Sequence, residues 1–204
     1  MGEARSVLLV HGAGSGPWVF DGWRGAFGDV ETVALDLHAG LQIAEASMQN
    51  YEAAVAATAG LLERPLVIVG WSMGGLAAMM AARRVEPEAL VLLEPSPPAE
   101  IQGYDDHVEP APGTFDPEEV YGPFPPGVAK RPESALARAE RKRGVPVRRL
   151  PNRTIVVYGR EFPDERGRLL AAHYGVDAKA TGADHWELVL GPEARTAAAG
   201  FLSA

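Results

Sequence analysis

The stretch Pro65-Leu-Val-Ile-Val-Gly-Trp-Ser-Met-Gly-Gly75 decides the fold. Its aliphatic residues 66–69 stand between a proline and a glycine, and they predict a buried strand. Residues 76–84 form a helix-favouring run that ends in two arginines, as suits a helix C-terminus. Between them lies Gly-x-Ser-x-Gly, with Ser72 at its centre. A strand, this motif and a helix together predict a sharp turn that exposes the serine hydroxyl. An incidental serine in a glycine-rich turn would leave the flanking strand and helix unexplained.

Size and composition favour one domain spanning residues 1–204. The chain is 47% hydrophobic and 23% charged, enough apolar material for a sizeable core. Its formal net charge of −8 gives no electrostatic support for binding nucleic acid. The absence of cysteine excludes disulfides and cysteine-based metal sites. No apolar run approaches membrane-spanning length and no signal peptide is recognisable, so we expect a cytoplasmic protein without a membrane partner.

Apolar runs alternate with helical segments along the chain. Near-continuous apolar strands of this kind predict a parallel sheet covered by helices on both faces, an α/β fold. The predicted strands are Ser6–Val10, Glu31–Asp36, Leu66–Val69, Ala89–Leu93, Thr154–Tyr158 and Val176–Ala180. The predicted helices are Phe20–Phe27, Ala44–Glu63, Met73–Arg84, Pro132–Arg143, Asp164–Tyr174 and Pro192–Leu202.

Residues 96–150 differ from the rest of the chain. Proline, glycine and acidic residues dominate there, and only Pro132–Arg143 has the pattern of a full helix. Long insertions between core strands are more often functional than idle. We therefore expect a lid-like insertion within the domain.

A nucleophilic serine needs a base and a third group that orients the base. Five histidines are available, at positions 11, 38, 107, 173 and 185. His185 follows the last predicted strand in a loop of small residues, near the sheet edge where Ser72 is expected. We predict that His185 is the base, against the alternative of an ordinary surface histidine.

These motifs resemble those of the α/β-hydrolases. His11–Trp18 resembles their His-Gly oxyanion loop, Gly70–Gly74 their nucleophile turn, and Asp184–Trp186 their catalytic-histidine loop. The pattern His-Gly-Ala-x-x-Gly-x-Trp is similar to that of small esterases related to plant methylesterases and hydroxynitrile lyases. Because the chain lacks room for the first two strands of the family, we expect a trimmed, mostly parallel sheet of about six strands.

The resemblance also implies an oxyanion hole. The N–H of Met73, directly after the nucleophile, is one expected donor, and the N–H of Ala13, directly after His-Gly, is the second. Each such donor typically contributes about 10²–10³ in rate. A phosphate loop at residues 12–16 is a weaker alternative, because Pro17 stands where a dinucleotide fingerprint needs glycine and no Gly-Lys-Ser/Thr follows.

The acid of the triad stays open. The family usually has an aspartate three residues after the glycine that here ends the fifth strand, and that position holds Phe162, flanked by Glu161 and Asp164. Glu94 stands at the end of the predicted strand that follows the helix Met73–Arg84. Haloalkane dehalogenases and some lipases carry their acid at this place. We rank Glu94 slightly above Glu161 and place Asp164 third.

The predicted function is a serine hydrolase that cleaves small carboxylic esters through an acyl-enzyme on Ser72, without a cofactor or metal. Trp18, Trp71 and Trp186 are candidates for lining the substrate pocket, although each is as well explained as ordinary core. Two alternatives remain: a non-enzymatic small-molecule receptor on the same fold, or a lactonase, thioesterase or lyase using the same site. The substrate and the oligomeric state are left open.

Overall fold

A six-stranded parallel sheet forms the centre of the computed structural model, which describes residues 4–203. The strands are β1 (Ser6–Val10), β2 (Glu31–Leu35), β3 (Leu66–Trp71), β4 (Ala89–Leu93), β5 (Thr114–Phe115), β6 (Glu133–Ser134), β7 (Thr154–Tyr158) and β8 (Asp177–Ala180). The sheet order is β2-β1-β3-β4-β7-β8, while β5 and β6 form a separate antiparallel pair. The expected trimmed sheet of six strands is confirmed.

Eight helices surround the strands within the described residues. They are α1 (Met48–Ala59), α2 (Met73–Val85), α3 (Ala99–Gln102), α4 (Pro117–Tyr121), α5 (Ala135–Arg143), α6 (Leu169–Tyr174), α7 (His185–Leu190) and α8 (Pro192–Ser203). Segments of 3₁₀ helix cover Pro17–Trp23 and Ile43–Glu45, and a π-helical turn, Asp164–Arg168, leads into α6. Residues 4–203 include no helix with the length and apolar character needed to cross a membrane.

Both faces of the central strands are buried, which explains their continuous apolar sequences. Leu8 and Ile68 belong to a core on the side of α1 and α2. Their neighbours Leu9 and Val69 belong to a second core on the side of α7 and α8. Successive strand side chains point to opposite faces, so a strand covered on both sides needs apolar residues at every position.

Four predictions about helices are wrong, and capping or backbone conformation explains each. The helix predicted from Pro132 begins at Ala135, because the side chain of Ser134 caps it by accepting from the N–H of Ala137. The helix predicted from Ala44 begins at Met48, because Ser47 and Asn50 form a capping box there. A second capping box, between Asp184 and Glu187, starts α7 at His185, where we expected a loop. The helix predicted for Phe20–Phe27 is a 3₁₀ turn that ends at Trp23, and Gly25 just beyond it has a left-handed φ of 74°.

The strand registers align the carboxyl ends of the central strands. Val10 pairs with Gly70, Trp71 with Leu93, and Leu93 with Val157. The residues that follow these strands therefore lie along one edge of the sheet: His11, Ser72, Glu94 and Gly159. In parallel sheets this edge is where ligands and reacting groups are found.

Candidate active site

Ser72 lies in the sharp turn between β3 and α2. Its backbone has φ 54° and ψ −122°, a conformation that side-chain-bearing residues rarely adopt. The neighbouring strand holds the turn, since the Ser72 N–H donates to the carbonyl of Leu93 at 3.1 Å and the Ser72 carbonyl accepts from the N–H of Ser96 at 2.9 Å. A strained backbone of this kind costs about 1–3 kcal/mol and persists only where the surroundings enforce it. Among residues 4–203, the Ser72 hydroxyl has no hydrogen-bond partner.

The glycine-rich loop after β1 packs directly against this turn. A Cβ atom added to Gly12 would lie 2.8 Å from the Trp71 ring and 3.0 Å from the Cβ of Ser72. Contacts that close are not tolerated between carbon atoms, so only glycine fits at position 12. The absence of this side chain allows the loop backbone to approach the nucleophile turn.

Hydrogen bonds fix the orientation of the Gly12–Ala13 peptide. The Gly12 carbonyl accepts from Nδ1 of His11 and from the hydroxyl of Ser15, both at 2.8 Å. In a trans peptide the N–H points opposite to the carbonyl, so the Ala13 N–H is directed away from these two donors. Within the described part of the chain, neither this N–H nor that of Met73 has a hydrogen-bond acceptor.

His11 is fixed as the neutral imidazole that this arrangement requires. Burial lowers its pKa. With the proton on Nδ1, its Nε2 accepts from the N–H of Leu37 at 3.0 Å and from Arg131 at 3.1 Å. This histidine therefore supports the loop backbone and is not free to act as a base.

His185 is bound to Glu94. Nδ1 of His185 lies 2.7 Å from Oε2 of Glu94, and the other carboxylate oxygen, Oε1, accepts from the N–H of Gly159 at 2.7 Å. Glu94 is fully buried, and its backbone φ of 40° turns the side chain off the end of β4. A buried carboxylate that accepts from Nδ1 leaves the lone pair of the imidazole on Nε2.

The other two acid candidates do not contact the imidazole nitrogens. Glu161 accepts a hydrogen bond from the backbone N–H of His185 at 3.1 Å. Asp164 is exposed and pairs with Arg168 at 2.6 Å. Asp184, which adjoins the histidine in sequence, caps α7 and pairs with Arg160 at 3.1 Å.

Aromatic rings surround His185. The Trp71 ring lies 5.0 Å from the imidazole, centre to centre, and the Trp71 indole N–H donates to the His185 carbonyl at 3.0 Å. The ring of Phe162 packs edge-on against the other side of the imidazole at 5.6 Å. Since Trp71 directly precedes Ser72, these contacts bring the histidine to the same sheet edge as the serine. No direct hydrogen bond joins the two side chains among the described residues.

The three tryptophans proposed for the pocket lie in different surroundings. Trp186 packs against Trp71 at 4.8 Å, and Phe124 of the 96–150 segment packs on Trp186 at 4.6 Å. Trp18 instead donates its indole N–H to the carbonyl of Ala129 at 3.1 Å. The structure thus brings Trp71 and Trp186 to the site. Trp18 instead contacts the 96–150 segment at Ala129.

A second buried carboxylate, Glu133, was missed by sequence analysis. It accepts hydrogen bonds from the Tyr51 hydroxyl at 2.5 Å, the N–H of Ser134 at 2.8 Å, the N–H of Gly14 at 2.9 Å and Nε2 of His38 at 3.2 Å. These bonds tie the 96–150 segment to the glycine-rich loop beside Ser72. No sequence motif indicates that Glu133 links these two parts of the chain, because its partners lie up to 119 positions away in the sequence.

Comparison with known proteins identifies the family. The family model described as the alpha/beta hydrolase family matches residues 7–199. The chain belongs to the α/β-hydrolase family. A search of curated protein sequences finds no match.

Solved structures similar to this α/β-hydrolase share its fold at low sequence identity. A structure of the metagenome-derived lipolytic enzymes LipS and LipT is 16% identical, with a TM-score of 0.73 over 100% of this chain and 95% of that one. Polyneuridine aldehyde esterase is 15% identical, with a TM-score of 0.65 over 99% and 100% of the two chains. A variant of tomato methylketone synthase I complexed with beta-ketoheptanoate is 17% identical, with a TM-score of 0.67 over 100% and 98%. At these identities the likeness shows the fold alone.

Proposed function

We propose that this α/β-hydrolase is a serine esterase that cleaves small carboxylic esters through an acyl-enzyme on Ser72. The observation that carries the proposal is the 2.7 Å contact between Nδ1 of His185 and the buried Glu94, at the same sheet edge as Ser72. A base whose far nitrogen is held by a carboxylate, beside a serine in a strained turn, is the arrangement that acyl transfer needs.

The steps follow from the positions of the groups. The Ser72 hydroxyl attacks the ester carbonyl while Nε2 of His185 takes its proton. Glu94 holds the imidazole in the required tautomer and stabilises its positive charge. His185 then protonates the leaving alcohol as the acyl-enzyme forms. Water, deprotonated by the same histidine, attacks the acyl carbon. The bond to Ser72 breaks, the acid is released, and His185 returns the proton to the Ser72 oxygen. In free enzymes the bond between serine and histidine is often long and forms only when substrate binds.

The N–H groups of Met73 and Ala13 would hold the oxyanion of the tetrahedral intermediate. Both are held in place before substrate binds, since Met73 opens α2 and the side chains of His11 and Ser15 fix the Gly12 carbonyl. Donors fixed in advance need no reorganisation as charge develops. The positive end of α2 adds to the same stabilisation.

We assign the substrate pocket to the space between the nucleophile turn and the 96–150 segment, which would act as its lid. The contact series from Trp71 through Trp186 to Phe124 supports this assignment, because it links the turn beside Ser72 to that segment by apolar rings. Such a lining suits the apolar portion of a small ester.

The decisive test is turnover of 4-nitrophenyl acetate by the wild type and by Ser72→Ala. We expect an initial burst with the wild type, and a loss on the order of 10⁶-fold in kcat for the variant. A fluorophosphonate should label the wild type at Ser72, as read by mass spectrometry. Ser203→Ala, at an exposed serine in α8, is the matched control and should retain full activity.

Two results would overturn the proposal. One is undiminished hydrolysis by Ser72→Ala. The other is saturable binding of an ester to the wild type with no turnover, the behaviour of a receptor on the same fold.

A further inference from the structure

Three arginines, at positions 138, 141 and 166, differ from the others in the described part of the chain. The Nε atom of each is buried and has no hydrogen-bond partner. None of the three has a carboxylate within salt-bridge distance among residues 4–203. By contrast, Arg131, Arg160 and Arg168 each pair with a carboxylate at 3.1 Å or less. Buried donors of charged groups normally have hydrogen-bond acceptors, so three buried Nε–H groups without an acceptor need an explanation.

Arg141 lies next to the nucleophile turn. Its Nη1 is 3.3 Å from the hydroxyl of Ser96, and the N–H of Ser96 donates to the carbonyl of Ser72 at 2.9 Å. Its Nη2 donates to the hydroxyl of Tyr121 at 3.0 Å. Only neutral oxygens therefore face this guanidinium, and its positive charge is uncompensated by any direct contact.

Arg166 lies next to the histidine. Its guanidinium stacks 4.1 Å from the centre of the Phe162 ring, and that ring packs against His185. Burial lowers the pKa of Arg166, the positive charge of Arg141 lowers it further, and the negative charge of Glu94 opposes the shift. Glu94 makes no direct contact with either arginine among the described residues, and its oxygens accept hydrogen bonds from His185 and Gly159.

Arg138 completes the group on the same helix as Arg141. The two residues are three positions apart in α5, so they lie on one face of that helix. The guanidinium of Arg138 lies 5.6 Å from the centre of the Phe115 ring. Arg141 and Arg166 thus bring positive charge beside the proposed active site of a chain whose net charge is −8.

We propose that the substrate carries a free carboxylate in addition to the ester, and that Arg141 and Arg166 bind this carboxylate. The proposal rests on the proposed esterase function and narrows its substrate class to half-esters of dicarboxylic acids. A guanidinium binds a carboxylate through two parallel hydrogen bonds. A bound carboxylate would also compensate the positive charge of these guanidinium groups.

The test compares two esters of equal chain length, the mono-4-nitrophenyl ester of glutaric acid and 4-nitrophenyl valerate. They differ mainly in the terminal carboxylate. A charge-assisted hydrogen bond contributes about 1.5–3 kcal/mol, which is about 10–100-fold in kcat/KM. We expect the wild type to prefer the anionic ester by at least 10-fold, and Arg141→Met and Arg166→Met each to abolish most of that preference.

Arg168→Met is the matched control. It removes the same charge two residues from Arg166, but Arg168 is exposed and pairs with Asp164. Its ratio of the two kcat/KM values should equal that of the wild type. If Arg168→Met lowered the ratio as much as Arg166→Met, general surface charge would explain the preference and the proposal would be wrong.

Other outcomes separate this proposal from the esterase proposal. Equal kcat/KM for the two esters would refute the carboxylate site and leave the esterase standing. If Arg166→Met slowed both esters equally and Arg141→Met slowed neither, Arg166 would serve only Glu94, and the site would again be refuted. Absence of all hydrolysis would refute the esterase itself.

Binding to Ser72→Ala tests the arginine pair without any turnover. Calorimetric titration with glutarate should show saturable binding that is weakened about 10-fold or more by Arg141→Met. No saturable binding would overturn the proposal. A parallel titration with orthophosphate distinguishes the two oxyanions, and tighter binding of phosphate than of glutarate would contradict the assignment to a carboxylate.

Discussion

Two buried glutamates, Glu94 and Glu133, form a contrast within this molecule. Both are fully buried, and each is bonded to a histidine. Glu94 has two partners and a left-handed backbone, whereas Glu133 has four partners drawn from several parts of the chain. The first is strained and sparsely bonded, and the second is fully bonded.

In the proposed mechanism, the contrast shows how the same residue type can serve stability or chemistry. Burial raises the pKa of Glu133, but hydrogen bonds from His38, Tyr51 and Gly14 outweigh burial and lower the pKa to about 2. A carboxylate held this firmly ionised fixes its surroundings. One oxygen of Glu94 accepts a hydrogen bond from the backbone N–H of Gly159, and the other contacts Nδ1 of His185. This leaves Nε2 of that imidazole able to react.

Of the substitutions that test the contrast between Glu94 and Glu133, Glu94→Gln should have the largest effect, and that effect is on activity. Glu94→Gln should lower kcat/KM by about 10³–10⁴-fold, because a glutamine cannot stabilise the imidazolium or fix its tautomer. We expect this loss in steady-state hydrolysis of 4-nitrophenyl acetate, with a circular dichroism spectrum like that of the wild type. A loss of less than 10-fold would show that Glu94 is not the acid of the triad.

The next effect is on stability. Glu133→Gln should lower the free energy of unfolding at pH 7 by about 3 kcal/mol, since a pKa shift from 4.5 to about 2 corresponds to that energy. The folded-state pKa is depressed, so this stabilisation is present above about pH 5 and is lost as the pH falls toward 2. Urea unfolding from pH 7 to pH 2.5 should therefore show the two curves converging in acid.

An exposed carboxylate provides the control for this measurement. Glu63, whose side chain is 73% exposed, should give a Glu63→Gln variant with nearly unchanged stability at every pH. If Glu133→Gln matched that variant, the four hydrogen bonds of Glu133 would contribute nothing net. If Glu133→Gln instead abolished ester hydrolysis in a fully folded protein, the division between the two glutamates would be wrong.

The smallest expected effect belongs to Glu161. It contacts only the backbone N–H of His185 from an exposed position, so Glu161→Gln should change kcat/KM by no more than a few-fold. Measured beside Glu94→Gln, this variant decides between the two acid candidates. Small and equal losses in both would direct attention to Asp164.

The sequence predicted the sheet well because its strands are continuous apolar runs bounded by glycine and proline. It also placed Ser72 and His185 at one edge, since parallel strands end together. It left Glu94 and Glu161 undecided, because the choice depends on a positive φ at Glu94 that no local pattern requires. The roles of Glu133 and Arg141 were not predicted, because the helical pattern of their segment does not show which residues they contact, and the partners that tie them to the site are 45 and 119 positions away in the sequence.

The carboxylate that contacts the imidazole comes from the end of β4, and this has a consequence for the loop after β7. That loop supplies Phe162 and leads to Arg166, two side chains that flank the histidine without contacting its ring nitrogens. Substitutions there could change which esters are accepted while the proton-transfer groups keep their spacing. In the proposed mechanism, selectivity and reactivity would therefore be encoded on separate segments, which would let a protein engineer change one without the other.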